Sequence, residues 1–189
     1  ENEIVEKCLK ARKNCIASVI VHPRHIIAAK DMLRGSTVAV GSVIGISNVS
    51  ASTDIKTETA RKCVENGATE LDFILDNRAM QSGGLDSVRK ELETMMGIAK
   101  GKAHVRAVFE PQMFTDAEKE DILIMLKSSG VEYVKLHNAK TQDILCAKQI
   151  LGSNTKLIIN RNIKSVQCAE ALLDSAVARI EVSDAFDIL

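Results

Sequence analysis

The sequence predicts an α/β fold, specifically a TIM-type (β/α)8 barrel, formed by residues 1–189 as a single domain. Three observations support this prediction. Short runs rich in Val, Ile and Leu alternate with longer amphipathic runs along the chain. The short runs begin roughly 20 to 35 residues apart, which suits a strand followed by a helix and its turns. The chain has 189 residues, 46% of them hydrophobic, which is enough for one sizeable core.

Seven short runs are predicted strands. Several are almost continuously apolar, as expected of parallel strands that are buried on both faces. The predicted strands are Cys15–Val21, Thr37–Ile44, Glu70–Leu75, His104–Glu110, Tyr133–Asn138, Lys156–Arg161 and Arg179–Asp184. Because an eight-stranded barrel needs one more strand, we expect its first strand to be absent from this chain. Glu3–Arg12 would then form the first helix.

The segments between these runs predict helices. Thr115 and Glu118 form a capping-box pattern ahead of an apolar stripe, and Gly130 is the expected C-terminal cap of that helix. Another predicted helix ends at Gly67. Its expected apolar face consists of Ile55, Ala60, Cys63 and Val64.

An open, doubly wound sheet is the alternative α/β arrangement. That fold usually carries a Gly-rich phosphate loop after its first strand, and no such loop follows Val21. No shift in composition and no Gly- or Ser-rich linker marks a second domain. The barrel is therefore the preferred prediction.

Charge and cysteine content narrow the class of protein. The chain has 25 basic and 25 acidic residues, a balance that argues against a nucleic-acid-binding or membrane-surface protein. It has no run of about 20 apolar residues, which a membrane span would need, and no apolar signal segment in its first residues. An odd number of scattered cysteines predicts reduced thiols in a cytoplasmic protein. These cysteines are Cys8, Cys15, Cys63, Cys146 and Cys168.

Several charged side chains are predicted to point into the barrel. Side chains alternate between the two faces of a strand, so Leu71 and Phe73 would face helices while Asp72 points inward. The same alternation points Lys135 inward from the fifth predicted strand. The other charged residues predicted to face inward are Arg106, Glu110, Arg179 and Glu181.

Buried charges of this kind suggest chemistry. An unpaired buried ion costs several kcal/mol, so proteins rarely bury charges without a use. A buried lysine such as Lys135 can lose its proton and attack a carbonyl carbon, and a carboxylate such as Asp72 can move protons to and from carbon. The simpler alternatives are that Lys135 extends its amine to solvent or forms a structural ion pair, and that Asp72 caps the next helix.

Four segments resemble motifs of one enzyme family. Gly130–Lys135, with the sequence Gly-Val-Glu-Tyr-Val-Lys, is similar to a G-A-D-F-[IV]-K signature, and Asn66–Ile74 is similar to a segment containing G-A-x-E-[IV]-D. Ile16–Arg24 resembles a strand that ends in an aromatic-Pro-Arg step. Val105–Glu110 resembles K-V-I-L-E, with Arg106 in the lysine position. In their order and spacing along the chain, the segments resemble those of the deoxyribose-phosphate aldolase family.

This resemblance implies a class I aldolase that cleaves 2-deoxyribose 5-phosphate to glyceraldehyde 3-phosphate and acetaldehyde. Lys135 matches the Schiff-base lysine, and Asp72 matches the acid of the proton relay. The family needs no metal or organic cofactor, and such barrels often pair as homodimers. The residues predicted to bind the substrate in this chain are Lys140, Arg161, Lys164, Ser183, Arg106 and Glu110.

The chain also departs from the family pattern. Ile158 occupies the position of the family's second lysine, and Arg161 and Asn162 replace a glycine pair through which backbone N–H groups approach a phosphate. Glu181 and Asp184 would repel a phosphate dianion unless they were paired with cations. The substrate could therefore be a related, unphosphorylated aldehyde. The alternative function is a catalytically impaired homologue that acts as a binding or assembly module.

Overall fold

The structure, a computed structural model, describes residues 2–45, 52–161, 163, 165–174 and 177–182. Helices and parallel strands alternate along this part of the chain. The helices are α1 (Asn2–Lys13), α2 (Ile26–Met32), α3 (Thr53–Glu65), α4 (Asn77–Gln81), α5 (Leu85–Ala99), α6 (Asp116–Ser129), α7 (Thr141–Leu151) and α8 (Val166–Asp174). The strands are β1 (Ser18–Val21), β2 (Ala39–Ile44), β3 (Glu70–Ile74), β4 (His104–Phe109), β5 (Tyr133–His137), β6 (Lys156–Asn160) and β7 (Arg179–Glu181).

The order of the strands in the sheet follows the order of the chain, from β1 to β7. Within the sheet, β1 pairs with β2 and β2 with β3 in parallel, as do β4 with β5, β5 with β6 and β6 with β7. A doubly wound sheet reverses its strand order at a switch point. No reversal occurs among the seven described strands, so the repeating βα order is that of a TIM-type barrel and not of the doubly wound alternative.

The chain forms two compact units, and that it is a single domain stays a prediction. The first unit consists of Glu1–Ile74 with Glu93–Val105, and the second of Leu75–Leu92 with Arg106–Leu189. In the first unit, apolar side chains of α1, α2 and α3 are buried together with those of β2 and β3. Fully or almost fully buried members of this core are Cys8, Ala11, Ile26, Ala29, Ile44, Ala60, Cys63, Leu71 and Phe73.

The core of the second unit is formed by α6 and α7 with strands β5 and β6. Its buried side chains include Ile122, Leu126, Val134, Leu136, Ile144, Ala147, Leu151 and Ile159. These positions follow a helical period on α6 and α7 and alternate on β5, so each element turns one apolar face to this core.

The predicted boundaries of α6 are confirmed. The Thr115 hydroxyl accepts a hydrogen bond from the Glu118 N–H at 3.4 Å, and the Glu118 carboxylate accepts one from the Thr115 N–H at 2.7 Å. These reciprocal bonds form the capping box. At the other end, Gly130 has φ 73°, a left-handed conformation that ends the helix.

The predicted face of α3 is wrong at its first residue. Ile55 is 60% exposed, whereas Lys56 is only 8% exposed. Lys56, Ala60, Cys63 and Val64 follow the spacing i, i+4, i+7 and i+8, so they share the inner face of the helix. Ile55 precedes this set by one residue and is therefore rotated about 100° away from it.

All seven predicted strands are present, but they are shorter than predicted. Cys15 has φ 52°, so the chain is still turning there and β1 begins only at Ser18. β4 ends one residue before Glu110, which precedes Pro111, and β5 ends before Asn138, which has φ 53°. Residues 183 and 184 of the last predicted strand lie outside the described residues. That a first barrel strand is absent stays a prediction.

Two further observations concern the class of protein. Within the described ranges, no helix combines the length and the apolar character that crossing a membrane would require. The five cysteines are free thiols, with Cys8 and Cys63 buried and Cys15 exposed. Reduced thiols are as the sequence predicted, while a cytoplasmic location stays a prediction.

Candidate active site

Lys135 lies in the middle of β5 and is only 4% exposed. Its neighbours along the strand, Val134 and Leu136, are fully buried in the apolar core. Because side chains alternate along a strand, Lys135 must lie on the opposite face. The alternative in which its amine extends into solvent is therefore wrong.

The Lys135 amine contacts the carboxylate of Glu181 on β7. Lys135 Nζ donates to Glu181 Oε1, and Asn160 Nδ2 donates to the same oxygen at 3.0 Å. Arg106 Nη2 lies 3.7 Å from Glu181 Oε2. The carboxylate of Glu181 is thus shared by two cations and one amide.

Strand register explains why these residues meet. Lys135 is in register with Ile158 on β6, and Asn160 on β6 is in register with Glu181 on β7. Lys135 and Glu181 are therefore on strands separated by one strand, and the lysine side chain is long enough to pass beside Ile158. Ile158 itself is 1% exposed. Ile158, which the sequence comparison placed at the position of the family's second lysine, is thus an apolar neighbour of Lys135.

Lys135, Arg106, Asn160 and Glu181 form a polar cluster whose charges are largely buried. The side chains of Lys135 and Arg106 are 6% and 2% exposed, and that of Glu181 is 22% exposed. Charges that are sheltered from water interact more strongly, and losing one partner leaves the other uncompensated. Of these three side chains, that of Glu181 is the most exposed to solvent.

A second hydrogen bond from an Asn amide to a Glu carboxylate, like that from Asn160 to Glu181, lies at the ends of β4 and β5. Asn138 Nδ2 donates to Glu110 Oε1 at 3.1 Å. Glu110 follows β4, and Asn138 follows β5 in the left-handed conformation that Asn tolerates better than most residues. The backbone N–H of Asn138 also donates to the Asn160 carbonyl oxygen at 2.8 Å, which ties the ends of β5 and β6 together.

The remaining predicted binding residues are more dispersed. Arg161 directly follows β6 and is half-buried, and Lys140 is exposed. The backbone N–H of Lys140 donates to Asp143 Oδ2 at 2.8 Å at the start of α7. Lys164 and Ser183 lie outside the described residues. The structure therefore brings together Lys135, Arg106 and Glu181 in the second unit, and places Glu110 beside Asn138.

Asp72 lies on β3 in the first unit and is 1% exposed. It does not cap the helix that follows, because Asp76 does so: Asp76 Oδ1 accepts from the N–H groups of Arg78 and Ala79 at 3.0 and 3.1 Å. The helix-cap alternative for Asp72 is thus wrong. That Asp72 acts on the same substrate as Lys135 stays a prediction.

The first unit also holds a cavity of about 490 Å³ that the sequence did not predict. It is lined in part by Arg24, Lys56, Thr59 and Lys62, and by none of the predicted site residues. Among the described residues, no group of three or more His, Cys, Asp or Glu side chains is arranged to hold a metal ion.

Sequence reasoning missed two residues: Asn160, which donates to Glu181, and Asn138, which donates to Glu110. It had Glu181 facing inward but not among the site residues. Asn160 lies two positions after Ile158 and so shares its face of β6, a signal that strand alternation alone could have supplied. For Asn138 no such signal exists, because its direction depends on a backbone turn with φ 53°.

Comparison with known proteins identifies the family. The chain is 30% identical over 195 residues to the deoxyribose-phosphate aldolase of Bacteroides thetaiotaomicron, covering 99% of this chain and 82% of that protein. The chain belongs to the deoxyribose-phosphate aldolase family. Its members also include a deoxyribose-phosphate aldolase of Geobacillus sp., which is 28% identical over 193 residues, or 99% of this chain and 86% of that protein. A scan against family models returns no match.

Solved structures share the fold. The aldolase QR15 superposes with a TM-score of 0.91 at 23% identity, covering 99% of this chain and 86% of that chain. The deoxyribose phosphate aldolase of Aeropyrum pernix, whose structure is tetrameric, has a TM-score of 0.85 at 19% identity, covering 99% and 82%. These values support the same α/β architecture for this member of the deoxyribose-phosphate aldolase family.

Proposed function

We propose that this chain is a class I aldolase, a carbon–carbon lyase that forms a Schiff base through Lys135. The observation that carries the proposal is a buried lysine in contact with a carboxylate, on the strand that carries the family's lysine motif. Relatives of this chain are named deoxyribose-phosphate aldolases. Because of this similarity, we propose that the substrate is related to 2-deoxyribose 5-phosphate.

The reaction begins with the loss of a proton from Lys135, for which the contacting Glu181 carboxylate is the acceptor. The free amine attacks the carbonyl carbon, and the resulting carbinolamine loses water to give an iminium ion. In the cleavage direction, the β-hydroxyl passes its proton to the Asp72 carboxylate and the carbon–carbon bond breaks. Its electron pair moves into the iminium, which becomes an enamine, and the first aldehyde leaves.

The second half of the reaction returns the enzyme to its starting state. The enamine accepts a proton on carbon, and we assign the supply of that proton to Asp72, the acid implied by the family motif. Water then adds to the iminium carbon, and the second aldehyde leaves as the Lys135 amine is restored. No metal or organic cofactor takes part in this sequence.

A catalytically impaired homologue is the second candidate, and one observation favours it. Ile158, an apolar residue in register with Lys135, stands where the family carries its second lysine. In this case the contact between Lys135 and Glu181 is a structural ion pair, and the chain acts as a binding or assembly module. A homodimer in the cytoplasm is proposed for either function, and the tetrameric relative shows that this fold can assemble.

Covalent trapping separates the two candidates. The protein is incubated with 2-deoxyribose 5-phosphate, 2-deoxyribose or acetaldehyde together with borohydride, and its peptides are analysed by mass spectrometry. We expect a reduced adduct on Lys135 and none at that site in Lys135→Met. The matched control is Lys156→Met, which removes an exposed lysine from the neighbouring strand and should leave trapping intact. The absence of an adduct on Lys135 with all three aldehydes would contradict the aldolase proposal.

A further inference from the structure

We infer that the cavity of about 490 Å³ in the first unit binds a small organic anion that carries a phosphate or carboxylate group. The volume lies within the range of small-molecule sites, which is about 300–1,000 Å³. Every described residue that lines the cavity belongs to the first unit. The inference does not depend on the reaction proposed for Lys135, because no residue assigned to that reaction lines the cavity.

The charges around the cavity favour an anion. Arg24, Lys56 and Lys62 line it, and none of the described lining residues is acidic. Residues 46–51 follow Gly45 of the lining in the chain and lie outside the described residues, and their sequence contains no charged residue. Cations gathered around a concave surface raise the local concentration of anions and favour their binding.

Lys56 is the buried cation of this set. It occupies the inner face of α3 in place of the predicted Ile55 and is only 8% exposed. Its Nζ lies 5.6 Å from the centroid of the Phe73 ring, whose π face supports the positive charge. An anion in the cavity gains more from this sheltered ammonium than it would from a fully solvated one.

Arg24 has the geometry that suits a group with two oxygens. Its Nε donates to His25 Nε2 at 2.9 Å, and its backbone N–H donates to His22 Nδ1 at 3.4 Å, so the residue is held in the short turn after β1. The Nη groups of a guanidinium form a fork that matches a carboxylate or phosphate. Pro23 and Arg24 end the segment that resembles the family's aromatic-Pro-Arg step, and they have no part in the reaction proposed for Lys135.

Lys62 is the third cation, and it also contacts a carboxylate outside the lining. Its Nζ lies 3.3 Å from Glu58 Oε1, while Arg61 Nε lies 3.8 Å from Glu58 Oε2. The Glu58 side chain is 57% exposed, so water screens these pairs. An anion in the cavity therefore competes with only one solvated carboxylate for the charge of Lys62.

The rest of the lining suits an organic anion. Pro23, Val43 and Ile55 provide apolar surface for a carbon skeleton. Thr59 and Asn66 add polar groups that can bind hydroxyl or carbonyl substituents. Apolar walls with a few polar and charged groups are typical of sites for small molecules.

The test is calorimetric titration of the full chain at low salt, where charge interactions are least screened. The probes are adenosine 5′-monophosphate, glucose 6-phosphate and citrate, with adenosine and glucose as the uncharged counterparts of the two phosphates. We expect at least one of the three anions to bind, and neither adenosine nor glucose to do so. Binding of citrate alone would assign the site to carboxylates, and binding of either phosphate alone would assign it to phosphates.

Variants then place the bound anion. Lys56→Met, an apolar replacement of similar length at a buried position, should raise Kd about tenfold, and Lys62→Gln about threefold because Lys62 is more exposed. The matched control is Arg61→Gln, which removes the same charge beside the same carboxylate but outside the lining, and should leave Kd nearly unchanged. Glu58→Gln should lower Kd, since it removes the competitor for Lys62, and a gain in affinity cannot arise from unfolding.

Three results would overturn the inference. The first is no binding of any of the three anions to the unmodified protein at millimolar concentration. The second is an equal change of Kd in Lys62→Gln and Arg61→Gln, which would indicate a general effect of net charge. The third is binding that is lost in Arg161→Gln but kept in Lys56→Met, which would place the anion at the candidate active site.

Discussion

Lys135 on β5 contacts Glu181 on β7, and this contact passes beside Ile158 on the strand between them. The carboxylate of Glu181 also receives the amide of Asn160 and lies near the guanidinium of Arg106. One carboxylate thus lies beside two buried cations. The two partners of the Lys135–Glu181 contact should therefore differ in their importance for stability.

We expect Glu181→Ala to destabilise the protein more than Lys135→Met does. Without Glu181, Lys135 and Arg106 both lose the contact with this carboxylate while they remain buried, and we expect the free energy of unfolding to fall by about 2–3 kcal/mol. In Lys135→Met the carboxylate keeps Arg106 and Asn160, so the loss should be smaller. Because the chain contains no Trp, urea unfolding is best followed by circular dichroism.

The matched control for this comparison is Glu132→Ala. Glu132 pairs with Lys156 at 2.9 Å, but both side chains are about half exposed, so water screens the pair. Glu132→Ala should therefore change the unfolding midpoint much less than Glu181→Ala. If Lys135→Met proved the more damaging of the two site variants, the shared-carboxylate account would be wrong.

A second prediction concerns Asp143 and acid stability. Burial by itself raises the pKa of Asp143. Hydrogen bonds from the Lys119 amine, the Lys140 N–H and the Gln112 amide, together with the positive charge of Lys119, outweigh burial and lower the pKa below its ordinary value. A carboxyl whose pKa is lowered on folding contributes stability above its unfolded pKa, and this is lost as the pH falls through the folded value. The unfolded value is about 3.9.

We therefore expect Asp143→Asn to lose about 1–2 kcal/mol of stability at pH 7. Below pH 4 the difference between the variant and the unmodified protein should shrink, because Asp143 is then becoming protonated. Urea midpoints measured from pH 3 to pH 7 test this. Asp116→Asn is the control, because Asp116 contacts the same Lys119 but its side chain is 97% exposed. An equal loss in both variants would contradict the role of burial.

A third prediction compares two glycines that both have open space around their α-carbons. Gly130 has φ 73° at the end of α6, whereas Gly97 lies within α5 in ordinary helical conformation. Gly130→Ala should cost about 1 kcal/mol, because a β-carbon is strained in the left-handed region. Gly97→Ala should stabilise by about 0.5–1 kcal/mol, since Ala loses less conformational freedom in a helix.

The melting temperatures of the two glycine variants should therefore shift in opposite directions relative to that of the unmodified protein. A β-carbon at either position meets no heavy atom within 4 Å, so steric clashes do not enter the comparison. If both variants shifted the melting temperature downward, backbone conformation would not be the deciding factor at Gly97.

Much of the fold followed from patterns that are local in sequence. Apolar runs placed all seven strands, and the Thr115–Glu118 capping box with Gly130 placed both ends of α6. The burial of Asp72, Arg106 and Lys135 also followed from strand alternation. These features are decided by the periods of strand and helix, which neighbouring residues reveal without knowledge of distant contacts.

The tertiary structure decided which side chains meet. Lys135 and Glu181 are 46 residues apart in the chain, and their contact depends on the register of three strands. The same holds for Asn138 with Glu110, whose pairing needs a left-handed residue after β5. On α3 the tertiary packing selected Lys56 over Ile55 for the buried face. Periodicity determines which residues share a face, but only the packed chain determines what that face meets.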